Sequence, residues 1–342
     1  MKKEWGKIEE LLKKSILEDE DYKYFTNHPY YRSTKGQLCD DYESMKALWP
    51  ERIVRNDIRV LEDKEHMLYY KMKLDEKESL YGKILFDGHL IHYLYETMFD
   101  DSMKRYFCVV AYDGSGFEGY QKQLIKRTVQ GVLEEALHLV FHKETQVHAS
   151  GRTDKGVHAN HQTIHFDAET KIPLNSLKMV IKQYLPEDIV IKSIEEKPPV
   201  FHSRYDVTSK TYMYHLDYGV YDVTKRNYRW FVNPFQVENF KKALSVILGK
   251  HDFASFTKTT DKHTVREVID VSFEENGTEI KVWIKGKGFL RYMVRNLIMA
   301  AYLIATEELS ISMEELLRSK DNTLLRHIAS PSGLYLYDVS YD

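Results

Sequence analysis

The residues best placed to do chemistry are Gly151-Arg152-Thr153-Asp154-Lys155-Gly156-Val157-His158, where a single acid sits between two cations in a glycine-bounded stretch. An opposite charge held near a carboxylate favours its ionised form. A carboxylate kept that way at Asp154 suits nucleophilic or general-base work. The same residues also make an ordinary turn, with the aspartate capping its own backbone and Gly156 supplying a positive φ. Spacing alone leaves both readings open.

Four further groups carry side chains suited to chemistry. The loop Asp113-Gly114-Ser115-Gly116-Phe117-Glu118-Gly119 is glycine-rich, but it lacks the Gly-Lys-Ser/Thr ending of a phosphate-binding loop and the spacing of a dinucleotide fingerprint. That excludes ATP and NAD. Its glycines allow an RNA phosphate to approach the backbone, or they simply make the turn. His158, His161 and His165 would share a face on a helix and invite a metal. Thr163, Ile164 and Phe166 instead favour a strand, where His158 and His161 face opposite ways, so no metal is expected. Lys210-Thr211-Tyr212-Met213-Tyr214 sets two tyrosines on one strand face beside a lysine, an arrangement that stacks bases or packs on a helix. Arg291 and Arg295 lie four apart, and on a helix beginning near Phe289 one would reach a carboxylate and the other a phosphate. Lys258, Lys262, Arg266, Lys281, Lys285 and Lys287 make this the most basic part of the chain.

These groups need elements to hold them. Tyr106 to Tyr112 reads as a strand entering the glycine-rich loop. Val129, Val132, Leu133, Ala136, Leu137 and Val140 recur at helical spacing, with Thr128 as the cap. Strands over 146–150 and 162–166 flank the Asp154 turn. A helix over 174–185 ends at Pro186, and a strand follows over 189–194. A strand over 210–218 and a helix over 240–248 come next. A hairpin turns at Asn276-Gly277, and a helix is expected over 289–305. Before residue 100, Trp5, Ile8, Leu11, Leu12 and Ile16 suggest an opening amphipathic helix, followed by short strands near 67–72 and 84–86. Strands mixed with helices and hairpins point to an α+β class, not a doubly wound parallel sheet.

Composition narrows the setting. A chain of 342 residues, 43% hydrophobic, can bury a sizeable core in two or three domains. The net charge of −3 is uneven: 17 Lys+Arg face 21 Asp+Glu in residues 1–100, leaving 32 and 31 beyond. The second part can therefore carry a locally basic cleft. Two cysteines, Cys39 and Cys108, make neither a disulfide framework nor a four-cysteine zinc site. The N-terminus has no signal-peptide core, and the apolar run 297–305 falls short of the roughly 20 residues that span a bilayer. A reduced, cytoplasmic setting without membrane contact fits.

The motif around Asp154 closely resembles the hallmark of the tRNA pseudouridine synthase A (TruA) family, and the likeness extends over residues 105–342. It includes Tyr112-Asp113-Gly114-Ser115 with Phe117, Gly119, Tyr120 and Gln121, then Val129-Gln130. Leu185-Pro186, Phe201-His202-Ser203-Arg204 and Lys210-Thr211-Tyr212-Met213-Tyr214 follow in family order. Asp252-Phe253-Ala254-Ser255-Phe256, Phe289-Leu290 with Met293-Val294-Arg295-Asn296, and Gly333-Leu334-Tyr335-Leu336 complete it. The resemblance implies an isomerase that converts uridine to pseudouridine in RNA, without metal or organic cofactor. Asp154 would be the nucleophile. Tyr212 would stack on the target base, Arg295 would pair with Asp154, and Arg152 would support the extruded nucleotide. Extrusion is needed because the reacting atoms are inaccessible inside a helix.

The implied fold is two ferredoxin-like halves, residues 104–205 and 206–342, joined into one mixed, mostly antiparallel sheet with a central cleft. Residues 1–103 would be an appended α+β or mostly helical module. The family also implies a homodimer that binds tRNA, with uridines at about positions 38–40 of the anticodon stem-loop as the default target. Two features depart from the pattern: Gln183-Tyr184 ahead of Leu185-Pro186, and Arg291 where relatives carry histidine or tyrosine. With the added module, they keep another structured RNA, such as rRNA, as an alternative substrate. A non-catalytic RNA-binding protein or RNA chaperone is the alternative class.

Overall fold

The computed structural model describes residues 58–64, 67–73, 76–87, 90–258 and 263–341. The helix expected over Trp5 to Ile16 lies outside them. The chain divides into two compact units. Of the described residues, one holds those up to Arg105 with Asp167–Thr170 and Lys197–Phe201; the other holds those of 106–166, 171–196 and 202–341.

The described part of the first unit is built on an antiparallel meander of β1 (Ile58–Lys64), β2 (Met67–Lys73), β3 (Glu78–Asp87) and β4 (Leu90–Asp100). Tyr70 lies opposite Gly82, and its ring occupies the space a Cβ would take there. Asp101, just past β4, accepts hydrogen bonds from Lys71, Ser79 and Tyr81 at 2.8–2.9 Å, closing the end of the sheet. Arg105 pairs with both oxygens of Asp167 at 2.8 and 2.7 Å and donates to the carbonyls of Pro199 and Phe201. One guanidinium thereby ties together three separate stretches of this unit.

The second unit carries the expected α+β architecture. In chain order its elements are β5 (Lys104–Tyr112), α1 (Val129–Phe141), β6 (His148–Ala149), β7 (His158–Ala168), α2 (Leu174–Lys182), β8 (Ile189–Lys197) and β9 (Val207–Asp217). Next come β10 (Trp230–Phe231), α3 (Val237–Ser245), β11 (Gly249–Asp252), β12 (Val265–Asn276), β13 (Glu279–Gly286), α4 (Met293–Ala305), α5 (Met313–Ser319) and β14 (Leu334–Tyr341). The strands form one ten-stranded sheet in the order β11-β12-β13-β9-β14-β7-β5-β8, with β10 beside β9 and β6 beside β7. The stretches 104–205 and 206–342 meet where β14 pairs in parallel with β7, setting Tyr335 against His158 and Leu336 against Ala159.

Local chemistry explains most boundaries. Thr128 caps α1 by accepting from the Gly131 N–H. The β12–β13 hairpin turns through Gly277 at φ 61°. Along β13 every second residue, Ile280, Val282 and Ile284, is buried. This face packs with Phe240 and Leu244 of α3 and Leu297 and Ile298 of α4. Helix α4 is buried almost all round, as a helix apolar on every side must be.

One boundary corrects the sequence reading. Helix α4 starts at Met293, not Phe289, because Tyr292 adopts a left-handed conformation (φ 64°) at its N-cap. Arg291 therefore lies outside the helix and shares no helical face with Arg295. Helix α2 also stops at Lys182, short of Pro186.

Replacing Leu297 with alanine removes a fully buried side chain from between α4 and the sheet. The expected cost is about 2–5 kcal/mol, seen as a lower urea midpoint with an unchanged m-value.

Candidate active site

The Asp154 turn leaves β6 and enters β7, and nearly every residue of it is fastened. Ser150 N–H donates to Thr163 O, and Ser150 Oγ to Gln162 Oε1. Gln162 Nε2 donates to Gly151 O at 2.8 Å. The Thr153 hydroxyl meets Tyr112 OH at 2.7 Å, and Thr153 O accepts from the Tyr120 N–H. Val157 N–H closes the turn on Asp154 O. Gly156, at φ 76°, supplies the positive dihedral expected of it. The turn and the chemical reading thus coexist in the same residues.

The Asp154 side chain is 24% exposed and reaches a cavity of about 420 Å³ that Ser115, Tyr292, Arg295, Pro331 and Ser332 also line. Arg295, in the first turn of α4, sets Nη1 3.6 Å from Asp154 Oδ2 while its Nε donates to Ala329 O at 2.7 Å. Burial lifts the Asp154 pKa above the ordinary carboxylate value; Arg295, then Arg291, oppose this without cancelling it. The sequence expectation is thus half met. A cation does face the acid, but desolvation outweighs it. A poorly hydrated carboxylate of raised pKa is a better base and nucleophile than one in water.

The other expected residues are distributed around this point. Tyr212, on β9, has its ring edge-on to Phe289 at 5.0 Å, and its phenol is held protonated by burial and by the neighbouring Tyr112 and Asp154. The aromatic residue on the cavity wall is Tyr292, which sequence reasoning treated as helix interior. Its OH accepts from Arg291 Nη2 at 2.8 Å, and the Arg291 and Arg295 guanidinium carbons lie 4.7 and 5.8 Å from its ring centre. Arg152 is exposed on the turn.

His158 is a strut. Its Nδ1 accepts from the Gly114 N–H at 3.1 Å, its Nε2 lies 2.7 Å from Asn227 O, and its ring stacks on Tyr335. Burial lowers its pKa, which favours this neutral form. It joins the glycine-rich loop to the loop bearing Asn227, and Ser115 and Asn227 both line the cavity.

His161 diverges from His158, lying near Asp338. His165 instead joins His148 and His202, which the sequence reading did not group with it; their ligand atoms lie within 4.8 Å of one another. The signal was the pairing of His148 with His165 across β6 and β7. These two rings are stacked at 4.8 Å with planes only 17° apart, so one ion cannot lie in both planes, as ligation by both would require. In the basic region, Lys281 pairs with Glu274 and Lys287 with Glu267, and Lys262 lies outside the described residues.

Residues 108–206 and 243–342 match the family model described as tRNA pseudouridine synthase. The chain belongs to this family. It is 39% identical over 244 residues to tRNA pseudouridine synthase A of Brevibacillus brevis, covering 70% of this chain and 100% of the relative. It is 40% identical over 249 residues to the Oceanobacillus iheyensis protein of the same name, covering 70% and 98%. For the Thermotoga petrophila protein the identity is 35% over 245 residues, covering 70% and 100%. A chain in a Cbf5–Nop10–Gar1 crystal structure matches at TM-score 0.27 and 10% identity over 58% of this chain and 45% of that one, too slight a likeness to add to these. No helix among the described residues is long and apolar enough to cross a membrane.

Replacing Arg295 with methionine removes the main influence that lowers the Asp154 pKa. That pKa then rises further, and the ionised acid appears only at higher pH. The acidic limb of the pH–rate profile should move upward, with kcat down about 10²–10³-fold. An unmoved limb would mean that the two groups do not interact in the working enzyme.

Proposed function

We propose that this tRNA pseudouridine synthase uses Asp154 to isomerise uridine in the anticodon stem-loop. The observation that carries this reading is the partly buried Asp154 carboxylate, at ion-pair distance from Arg295, on the wall of the 420 Å³ cavity. A single nucleobase leaves and returns within one closed site, so the reaction needs an acid, a fixed counter-charge and room for the ring to turn. Asp154 adds to the extruded nucleoside as the bond from the sugar to N1 breaks, and it leaves again as a free carboxylate when the sugar bonds to C5. C5 gives up a proton and N1 gains one, so substrate and product are isomers.

Arg295 aims the carboxylate and limits its pKa. Tyr212, protonated and close enough to feel the Asp154 charge, is the group to contact the base and pass a proton. Arg152, exposed on the same turn, supports the extruded nucleotide against its former stack. The name of the relatives, tRNA pseudouridine synthase A, supports tRNA over rRNA as substrate. A homodimer acting in the cytoplasm completes the reading.

Asp154→Asn should abolish pseudouridine formation on an anticodon stem-loop transcript while RNA affinity stays within about threefold, because binding rests largely on phosphate contacts. Tyr212→Phe should lower kcat by about 10²–10⁴-fold, as loss of a proton-relaying group does. Mass-spectrometric detection of pseudouridine after a fixed incubation checks both. Undiminished product from Asp154→Asn removes the nucleophile assignment. If the unaltered enzyme modifies ribosomal transcripts and no tRNA, the substrate assignment fails.

A further inference from the structure

Lys210 is set against the backbone of the Asp154 turn at Ser150 and Gly151. It lies two residues before Tyr212 on β9, so the two side chains share a strand face about 7 Å apart. Its Nζ donates to Ser150 O at 2.6 Å and rests against Gly151, where a Cβ would come within 2.8 Å of it. An ammonium has three N–H donors, and no other acceptor among the described residues takes a hydrogen bond from this one.

Largely buried lysines are normally matched by a carboxylate. Among the described residues, none pairs with Lys210. The nearest acid in sequence, Asp206, accepts from the His202 N–H instead. What lies nearby is a second cation: Arg204, exposed, with its guanidinium over the Tyr205 ring and no carboxylate partner among the described residues. Burial, then the Arg204 charge, lower the Lys210 pKa to about 8. Two cations that repel each other are thus kept close, one of them against the turn that carries Asp154.

We propose that Lys210 and Arg204 form an anion subsite that receives an RNA backbone phosphate next to the extruded uridine. This rests on the reading of the chain as an enzyme acting on RNA. A phosphate there supplies acceptors for the ammonium and the guanidinium together and offsets their repulsion. It also fixes the strand beside the nucleotide that faces Asp154, with Gly151 leaving the ammonium room to reach it.

The test uses the full-length enzyme and an anticodon stem-loop transcript between 50 and 300 mM salt, a range over which each phosphate contact changes affinity about fivefold. Lys210→Met should raise KM about tenfold at low salt and make the slope of log KM against log salt shallower by about one. Arg204→Gln, at an exposed position that does not threaten folding, should shift KM and slope in the same direction. A transcript with one neutral methylphosphonate linkage beside the target uridine should raise KM for the unaltered enzyme and have little further effect on Lys210→Met.

Two results overturn the subsite. One is a fall in kcat with KM and slope unchanged, which reduces Lys210 to a brace for Ser150. The other is a full additional penalty from the methylphosphonate in the Lys210 variant, which places that phosphate elsewhere. Absence of pseudouridine with unaltered enzyme and unmodified transcript instead defeats the assigned activity, a different failure.

Discussion

Two charges that water would otherwise solvate face each other across 3.6 Å, and the second unit is arranged around them. The separation is too long for a tight hydrogen bond, and Arg295 has committed its Nε to Ala329 O. The guanidinium cannot fully envelop the carboxylate, and among the described residues no ion pair or hydrogen bond engages Asp154 Oδ1. Burial costs the acid more than the cation returns, so its pKa stands above the ordinary carboxylate value. A well-matched pair would be more comfortable and less useful, since full satisfaction of the carboxylate would quench its reactivity. Deleting one partner is also worse than deleting both, because it strands the other charge without compensation.

Strand β9 turns this pair into a site. Lys210, Tyr212 and Tyr214 follow one another at every second position, and each serves a different wall. Lys210 holds the Ser150 carbonyl below the acid turn; Tyr214 donates to Ser330 O in the loop that brings Pro331 and Ser332 to the cavity. Tyr212 stands between them. A single straight strand thus sets the spacing of loops that are far apart in sequence, which rigid elements do more accurately than loops.

Much of this was legible in the sequence where the signal is local. The Thr128 cap, the 3.6-residue periodicity of α1, the Asn276-Gly277 hairpin and the positive φ of Gly156 each depend on neighbours within a few residues, and each appears as read. The approach of Arg295 to Asp154 was reached only through resemblance, because 140 intervening residues have to fold before the two meet. The left-handed Tyr292 escaped notice because its flanking residues suit a helix, and only the chain's path out of β13 forces the kink. The meeting of His148 and His202 with His165 was equally hidden, since two paired strands and a distant loop create it. The raised pKa of Asp154 was hidden for a related reason: sequence displays the nearby cations but not the amount of water excluded.

Strand β14 has a bearing on how the protein comes into being. It occupies the middle of the ten-stranded sheet, between β9 and β7, although it is the final strand of the described chain. On the ribosome, every other strand of that sheet emerges first and must wait with an unfilled slot at its centre. The acid turn enters β7 on one side of that slot, and Tyr212 lies on β9 on the other. The two sides of the proposed site are therefore not joined until the last strand arrives, and a prematurely terminated chain would have two open sheet edges.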